Sequence, residues 1–516
     1  MRNRRSLLTG LAALTGAVLV LWIGSSVSAA GSNRPVRSCA SLASTNLPHT
    51  TMLSATAVTA TASVPAHCAV QLVVTNPPAG DQIRVGVWLP TENWNGRFQG
   101  TGGGGFSGGS PTSTPAAALR DGYAAAATDA GHTGGSGSFA LNSDGTLNWQ
   151  LIADFGYLGI HEMTVAGKAL VERFYRPASF HSYFNGCSTG GRQGLMEAQR
   201  YPSDYDGIAA ASPAVNWTKF HPAQFWGQLQ MMLSGNVIPQ CKLAAATQAA
   251  ITACDGRDGV TDGIVGDWQG CRFDARRLIG TETDCGTVTA ADADLINKIW
   301  EGPRDADGGF LWYGLERDAS LGALNNTSGG NQLPFGVGLD WFRYFLLQNP
   351  GWDWRTMTYD RYLLLFQQSV LQYQAVIATD DPDLSAFRDA GGKVVFWHGT
   401  ADPLIFFRGT VDYYQRLEAA MGGAKQTQKF ARFFVAPGVG HCGGGQGAAP
   451  TDLLNSVVRW VEQGKAPSSL VGRRIDGGGD VLLTRPVCQY PLVARYKGHG
   501  TTTEAKNFTC ASGYHK

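Results

Sequence analysis

Apolar and polar residues alternate in the early part of the chain as they do on half-buried strands. Ala69–Val74 (Ala-Val-Gln-Leu-Val-Val) and Ile83–Pro90 (Ile-Arg-Val-Gly-Val-Trp-Leu-Pro) either alternate or run apolar, and both are predicted strands. Residues 156–176 carry a helical pattern. A short strand over Phe180–Asn185 and a helix over Gly191–Tyr201 follow. Between about Tyr205 and Phe387 the regular β/helix alternation breaks down. That stretch holds eight of the fourteen tryptophans, Trp341, Trp352 and Trp354 among them. Regular texture returns with a buried strand at Lys393–Trp397, a helix at 409–420, a strand at Ala431–Val435 and a helix at Leu453–Glu462. The pattern predicts an α/β class core interrupted by an aromatic-rich insertion. Its parts are 31–204 and 388–516 for the core and 205–387 for an inserted lid.

Chemistry sits at the ends of these predicted strands. Gly186-Cys187-Ser188-Thr189-Gly190 follows one strand and opens a helix, the context of a nucleophile elbow. His398-Gly-Thr-Ala-Asp402 and Gly440-His441-Cys442 follow two later strands, at the carboxyl edge where open α/β sheets place their sites. Ser, Asp and His in that order form the α/β-hydrolase arrangement of nucleophile, acid and base. A serine hydroxyl needs an adjacent base, and the base needs a carboxylate to fix its tautomer. Ser188, Asp402 and His441 are therefore the expected triad. His398 is expected to be structural, bonding within its turn, while Asp383 and Asp389 precede the strand and suit the acid role less well. The expected oxyanion donors are the backbone N–H groups of Thr189 and of the Gly102–Phe106 loop, with Gly105 favoured. Cysteines directly before Ser188 and directly after His441 would, if bonded, tie nucleophile to base.

A second cluster is Cys254-Asp255-Gly-Arg-Asp258-Gly-Val260-Thr-Asp262-Gly-Ile264. Three aspartates with interleaved glycines offer hard oxygens on a tight loop, which suits a structural Ca²⁺, and the carbonyls of Val260 and Ile264 could complete its shell. The spacing is not that of an EF-hand. An acidic turn without metal is the alternative reading. Other motifs carry less. The glycines of 102–109 lack the G-K-[ST] ending of a phosphate loop, and His161-Glu162 lacks the second His of a zinc protease helix.

Composition narrows the class. The 516 residues suit one large hydrolase domain with a second domain inserted. A net charge of +1 from 41 basic and 40 acidic residues gives no reason to expect nucleic acid or an anionic membrane as partner. Residues 1–30 have the form of an export signal: Arg2, Arg4 and Arg5, an apolar stretch from Leu7 to Ile23, then small residues before Gly31. Arg4-Arg5-Ser6-Leu7-Leu8 also resembles a twin-arginine signal, and an uncleaved anchor is the other reading. The ten cysteines (39, 68, 187, 241, 254, 271, 285, 442, 488, 510) form no C-x-x-C pair, and an even count in an exported chain points to disulfides. The expectation is a secreted or periplasmic protein with no membrane association after signal cleavage.

On the Gly186–Arg192 segment, the Asp/Gly loop, His398–Asp402 and Gly440–Cys442, the chain resembles the tannase and feruloyl esterase family. That family includes mono(2-hydroxyethyl) terephthalate hydrolases. The resemblance covers essentially the whole chain after the signal. It implies a disulfide-rich α/β-hydrolase core with a lid, a Cys187–Cys442 bond, and Ca²⁺ held by Asp255, Asp258, Val260, Asp262 and Ile264. It also implies Cys254–Cys271 and Cys488–Cys510, leaving Cys39 with Cys68 and Cys241 with Cys285. The implied activity is a serine carboxylic ester hydrolase acting on esters of small aromatic acids, of feruloyl, galloyl or terephthalate monoester type. Two alternatives stand beside it: a non-catalytic protein binding polyphenols or plant-wall fragments, and an esterase of broad preference. Ile405 is aliphatic where an aromatic would have supported ring stacking. Arg343 has two readings, a partner for a substrate carboxylate or a helix-surface salt bridge.

Overall fold

The computed structural model describes residues 33–513; the expected export signal lies outside them. The strands are β1 (Thr50–Val58), β2 (His67–Val74), β3 (Ile83–Pro90), β4 (Arg97–Thr101), β5 (Ala124–Thr128), β6 (His181–Cys187) and β7 (Gly207–Ala211). After two short paired strands, β8 (Asn325–Asn326) and β9 (Leu333–Pro334), come β10 (Lys393–Gly399), β11 (Ala431–Ala436) and β12 (Ala449–Pro450). The last are β13 (Ser469–Ile475), β14 (Val481–Gln489), β15 (Val493–Tyr496) and β16 (Phe508–Ala511). Twelve of them form one sheet in the order β1-β2-β3-β5-β4-β6-β7-β10-β11-β14-β13-β12. Its centre, β5 to β11, is parallel, and antiparallel strands extend it on both sides.

Strand period places alternate residues on opposite faces. Phe98, Phe184, Ile208, Phe396 and Phe433 pack on one face with Met163, Leu170, Leu195 and Tyr414 from helices Gly159–Tyr175, Thr189–Arg200 and Phe407–Ala420. Their sequence neighbours Tyr183, Ala209, Val395, Trp397 and Phe434 pack on the other face with Val457 and Trp460 from helix Leu453–Gln463. Both faces of the central strands are covered, so these strands run apolar rather than alternating.

The hydrophobic pattern picked out β2, β3, β6, β10 and β11 and missed the other strands, of which β1, β5 and β7 show why. β1 is a largely exposed edge strand rich in threonine and alanine. β5 (Ala-Ala-Ala-Ala-Thr) and β7 (Gly-Ile-Ala-Ala-Ala) are buried but built mainly from alanine, which has low strand propensity. Placing β7 in the sheet corrects the expected insertion boundary at 205. Residues 207–211 belong to the core, and the interruption runs from 212 to 392, between β7 and β10. That stretch is mainly helices and loops, with β8 and β9 its only strands among the described residues. No helix of the described residues is long and apolar enough to cross a membrane.

Close packing of helix Gly159–Tyr175 on the sheet depends on Gly167. A Cβ there would lie 2.7 Å from two ring carbons of Phe98 in β4. Gly167→Val should cost roughly 1–3 kcal/mol of overpacking and lower Tm by about 1–3 °C. Thermal unfolding followed by circular dichroism checks this, and an unchanged Tm would mean the helix yields freely.

Candidate active site

Ser188 joins β6 to helix Thr189–Arg200 in a turn with φ 61° and ψ −123°, a conformation costly for a residue with a side chain. Backbone bonds hold it there: Ser188 N donates to Ala211 O at 3.0 Å, and its carbonyl accepts from Arg192 N at 2.9 Å and Ala214 N at 3.1 Å. The turn is tight enough to demand glycines around it. A Cβ on Gly186 would sit 2.6 Å from the Gly190 carbonyl carbon, and one on Gly191 would sit 2.7 Å from Ala211 O. These are the glycines of the G-x-S-x-G-G sequence. Each is required by backbone approach rather than by flexibility.

Asp402 lies in the loop after β10 and is buried. Its Oδ2 accepts from His441 Nδ1 at 2.7 Å and from His398 Nε2 at 3.0 Å, while Oδ1 accepts the amides of Leu404 at 2.9 Å and Ile405 at 3.0 Å. Burial alone would raise the carboxyl pKa. The bonds from His398 and His441 outweigh it and hold Asp402 well below the usual carboxylate range. With Nδ1–H of His441 given to Asp402, Nε2 is left as the acceptor, the tautomer a general base requires. His398 is structural as expected, yet it acts on the acid itself. Its Nδ1 meets Thr410 Oγ1 at 2.7 Å, and the ring bridges that hydroxyl to the Asp402 carboxylate.

Ser188, Thr189 and His441 line one cavity of about 330 Å³ with Gly104 and Gly105. Thr189 is the first residue of its helix, where backbone N–H groups have no intrahelical partner. Its hydroxyl donates to Gly105 O at 2.7 Å, fixing that peptide beside the elbow, and Gly105 has φ 56°. The Gly103 N–H is already taken by Gln193 Oε1 at 2.9 Å, which turns attention to Gly104 and Gly105 as donors toward the cavity. The insertion supplies the opposite wall: Trp217, Phe220, His221, Gln224, Phe335 and Val337, with Leu404 and Ile405 closing it. Arg343 is not in this wall. It sits half-buried in the helical turn Trp341–Leu346, its Nε buried without a partner, so neither expected role is realised in the described contacts.

The Asp/Gly loop surrounds a small cavity of about 30 Å³ lined by Asp258, Val260, Asp262 and Ile264. Beside them Asp255 accepts the amides of Asp262 and Gly263 at 3.1 and 2.9 Å. Burial pushes the Asp258 carboxyl up to about 7, and the neighbouring Asp262 and Asp255 add to the rise. A Cβ on Gly266 would fall 1.9 Å from Asp258 Oδ2, so glycine is required for the carboxylate to fold inward. Carboxylates and carbonyls alone form a hard donor set that fits Ca²⁺. The pattern of the loop gave no sign of Arg485. From β14 it bonds the Asp262 carboxylate and lies 3.7 Å over Phe508, joining the loop to the C-terminal strands.

Disulfides join Cys39 to Cys68, Cys187 to Cys442, Cys241 to Cys285, Cys254 to Cys271 and Cys488 to Cys510. Cys187–Cys442 spans 255 residues and holds the Ser188 turn to the His441 loop.

The sheet, the elbow and the cavity define an α/β hydrolase. A family model described as tannase and feruloyl esterase matches residues 68–511. The chain belongs to that family and is a carboxylic ester hydrolase, which sets aside the non-catalytic binding reading. It is 42% identical over 463 residues to a probable feruloyl esterase of Arthroderma benhamiae, covering 87% of this chain and 86% of the relative. The mono(2-hydroxyethyl) terephthalate hydrolase of Piscinibacter sakaiensis is 32% identical over 537 residues, covering 89% and 87%. The crystal structure of feruloyl esterase B from Aspergillus oryzae superposes with a TM-score of 0.79 at 30% identity, covering 90% of this chain and 98% of that one.

The depressed pKa of Asp402 ties stability to pH. A carboxyl with a lowered folded-state pKa contributes stability above its unfolded value, about 3.9, and that contribution is lost as pH falls toward the folded value. Wild type should therefore exceed Asp402→Asn in urea midpoint at pH 7, with the gap shrinking from pH 4 to pH 3. A gap that does not vary with pH would contradict the bonding described.

Proposed function

We propose that this ester hydrolase works through an acyl-enzyme on Ser188 and acts on esters of small aromatic acids. The observation that carries the reading is the placement of Ser188 and a carboxylate-bound His441 in one cavity, on two loops joined by a disulfide. Ser188 Oγ attacks the ester carbonyl while His441 Nε2 takes its proton. The negative acyl oxygen rests on the backbone N–H groups of Thr189 and Gly105. His441 returns the proton to the departing alcohol. Water, deprotonated by the same imidazole, then releases the acid. Asp402 stays ionised throughout and stabilises the imidazolium.

The aromatic preference is supported by the wall of Trp217, Phe220 and Phe335 and by the names of the relatives, feruloyl esterase and mono(2-hydroxyethyl) terephthalate hydrolase. Ca²⁺ is assigned a structural place in the loop, held by Asp255, Asp258, Asp262 and the carbonyls of Val260 and Ile264, where it would offset like charges. Export to the periplasm or medium is supported by the signal-like residues 1–30 and the five disulfides.

A panel of methyl ferulate, methyl gallate, mono(2-hydroxyethyl) terephthalate and p-nitrophenyl acetate tests the reaction. Ser188→Ala should lose ~10³-fold or more of kcat at unchanged Tm. Turnover that survives this change would remove Ser188 from the mechanism, and equal rates across the panel would favour a broad esterase. For the metal, chelation should lower Tm by about 3 °C, added Ca²⁺ should restore it and Mg²⁺ should not, since a bound ion at a hundred times its Kd adds about 2.7 kcal/mol. Asp258→Ala should abolish that response. A Tm indifferent to chelator and to Ca²⁺ would count against the site.

A further inference from the structure

Arg192 lies one helical turn after Ser188 and is completely buried. Its Nη1 donates to Gly156 O at 2.8 Å and its Nη2 to Phe155 O at 3.0 Å, both in the π-helical turn Asp154–Leu158, and Nε has no partner. Phe155 and Trp217 flank the guanidinium with ring centroids at 5.1 and 5.2 Å. Its partners are two carbonyls and two aromatic rings; among the described contacts no carboxylate bonds it. Burial lowers its pKa to about 9, which leaves it protonated at neutral pH.

An unpaired buried charge is expensive, and holding two carbonyls does not require one, since a neutral amide also donates. The charge lies against the catalytic cavity, because Trp217 is part of the cavity wall. Its field extends further into that wall. Burial, with Arg192 adding to it, lowers the pKa of His221 to about 3 and keeps that ring neutral. Apart from Ser188, Thr189 and His441 the cavity wall is apolar, amide or neutral imidazole, and Arg192 stands directly behind its Trp217.

We propose that Arg192 is a positioning residue of the hydrolysis. With no carboxylate bonded to it, its charge behind Trp217 raises the potential on that side of the cavity and stabilises the negative charge that gathers on the acyl oxygen beside Thr189. The inference rests on the assignment of Ser188 as nucleophile. Attraction between two charges falls off as the inverse of distance, more slowly than attraction between a charge and an aromatic ring. The benefit therefore goes to the oxyanion rather than to the substrate ring, and it belongs in kcat for every ester.

Arg192→Met removes the charge, and Arg192→Gln does so while keeping an amide for the Phe155 carbonyl should the first variant fail to fold. Either should lower kcat at least tenfold on both methyl ferulate and p-nitrophenyl acetate with KM changed less than threefold. Arg192→Lys should recover most of the loss. Inhibition by phenylboronic acid gives a second readout. Ser188 Oγ adds to boron, its proton passes to His441, and the boron becomes a tetrahedral anion. Affinity for this adduct should fall tenfold in the neutral variants, while affinity for neutral benzamide stays within threefold of wild type. A neutral variant that matches Arg192→Lys in kcat, or that loses boronate and benzamide affinity equally, would reduce Arg192 to a brace for the 154–158 turn. Absence of wild-type turnover on all esters would instead overturn the nucleophile assignment.

Discussion

Two stretches of backbone touch at the centre of this molecule with no side chain between them. A Cβ on Gly102, after β4, would fall 2.4 Å from the Gly190 Cα, and Gly190 N donates to Gly103 O at 3.0 Å. That contact sets the distance between the Ser188 elbow and the glycine loop that faces it. Gln193, one turn further along the same helix, pins the loop from below through Gly103 N and Gly108 O. The charge machinery can only work if this backbone frame is rigid, because oxyanion donors act by being in place before charge develops.

Around that frame the chain separates two duties. The parallel sheet carries Ser188, Asp402 and His441 on short turns whose geometry is fixed by hydrogen bonds and a disulfide. The insertion of 212–392 carries most of the cavity wall that faces Ser188 and His441. Gln224 connects the two: its amide donates to Leu404 O at 3.0 Å, two residues from Asp402, and its carbonyl oxygen meets His221 Nδ1 at 2.9 Å. Changes in the wall are thus felt at the acid loop through one side chain.

Much of this was legible in the sequence because catalysis restricts residue type. Few residue types can serve as nucleophile, base and acid, so Ser188, Asp402 and His441 stand out as candidates, and a Cβ would clash with backbone at Gly186 and Gly191. The five disulfides were legible as an even set of cysteines. What stayed hidden depends on tertiary burial. β5 and β7 are strands because their neighbours bury them, and alanine alone does not declare it. His398 was expected to bond within its turn, but that its partners are the Asp402 carboxylate and Thr410 follows only once the loop curls. Arg485 is 223 residues from Asp262, and no local pattern links them. Arg343 looked available for a substrate carboxylate because helix position does not reveal which side faces a cavity.

The Cys187–Cys442 bond has a topological consequence. Everything from Ser188 to His441 is a closed covalent ring, and the whole insertion lies inside it. A break in any one peptide bond of that ring opens a gate without releasing a piece: both new ends stay attached, and the nucleophile and base loops stay fastened to each other. The wall of the pocket can be nicked, lengthened or replaced while the Ser188 and His441 loops are held by a bond that does not pass through it.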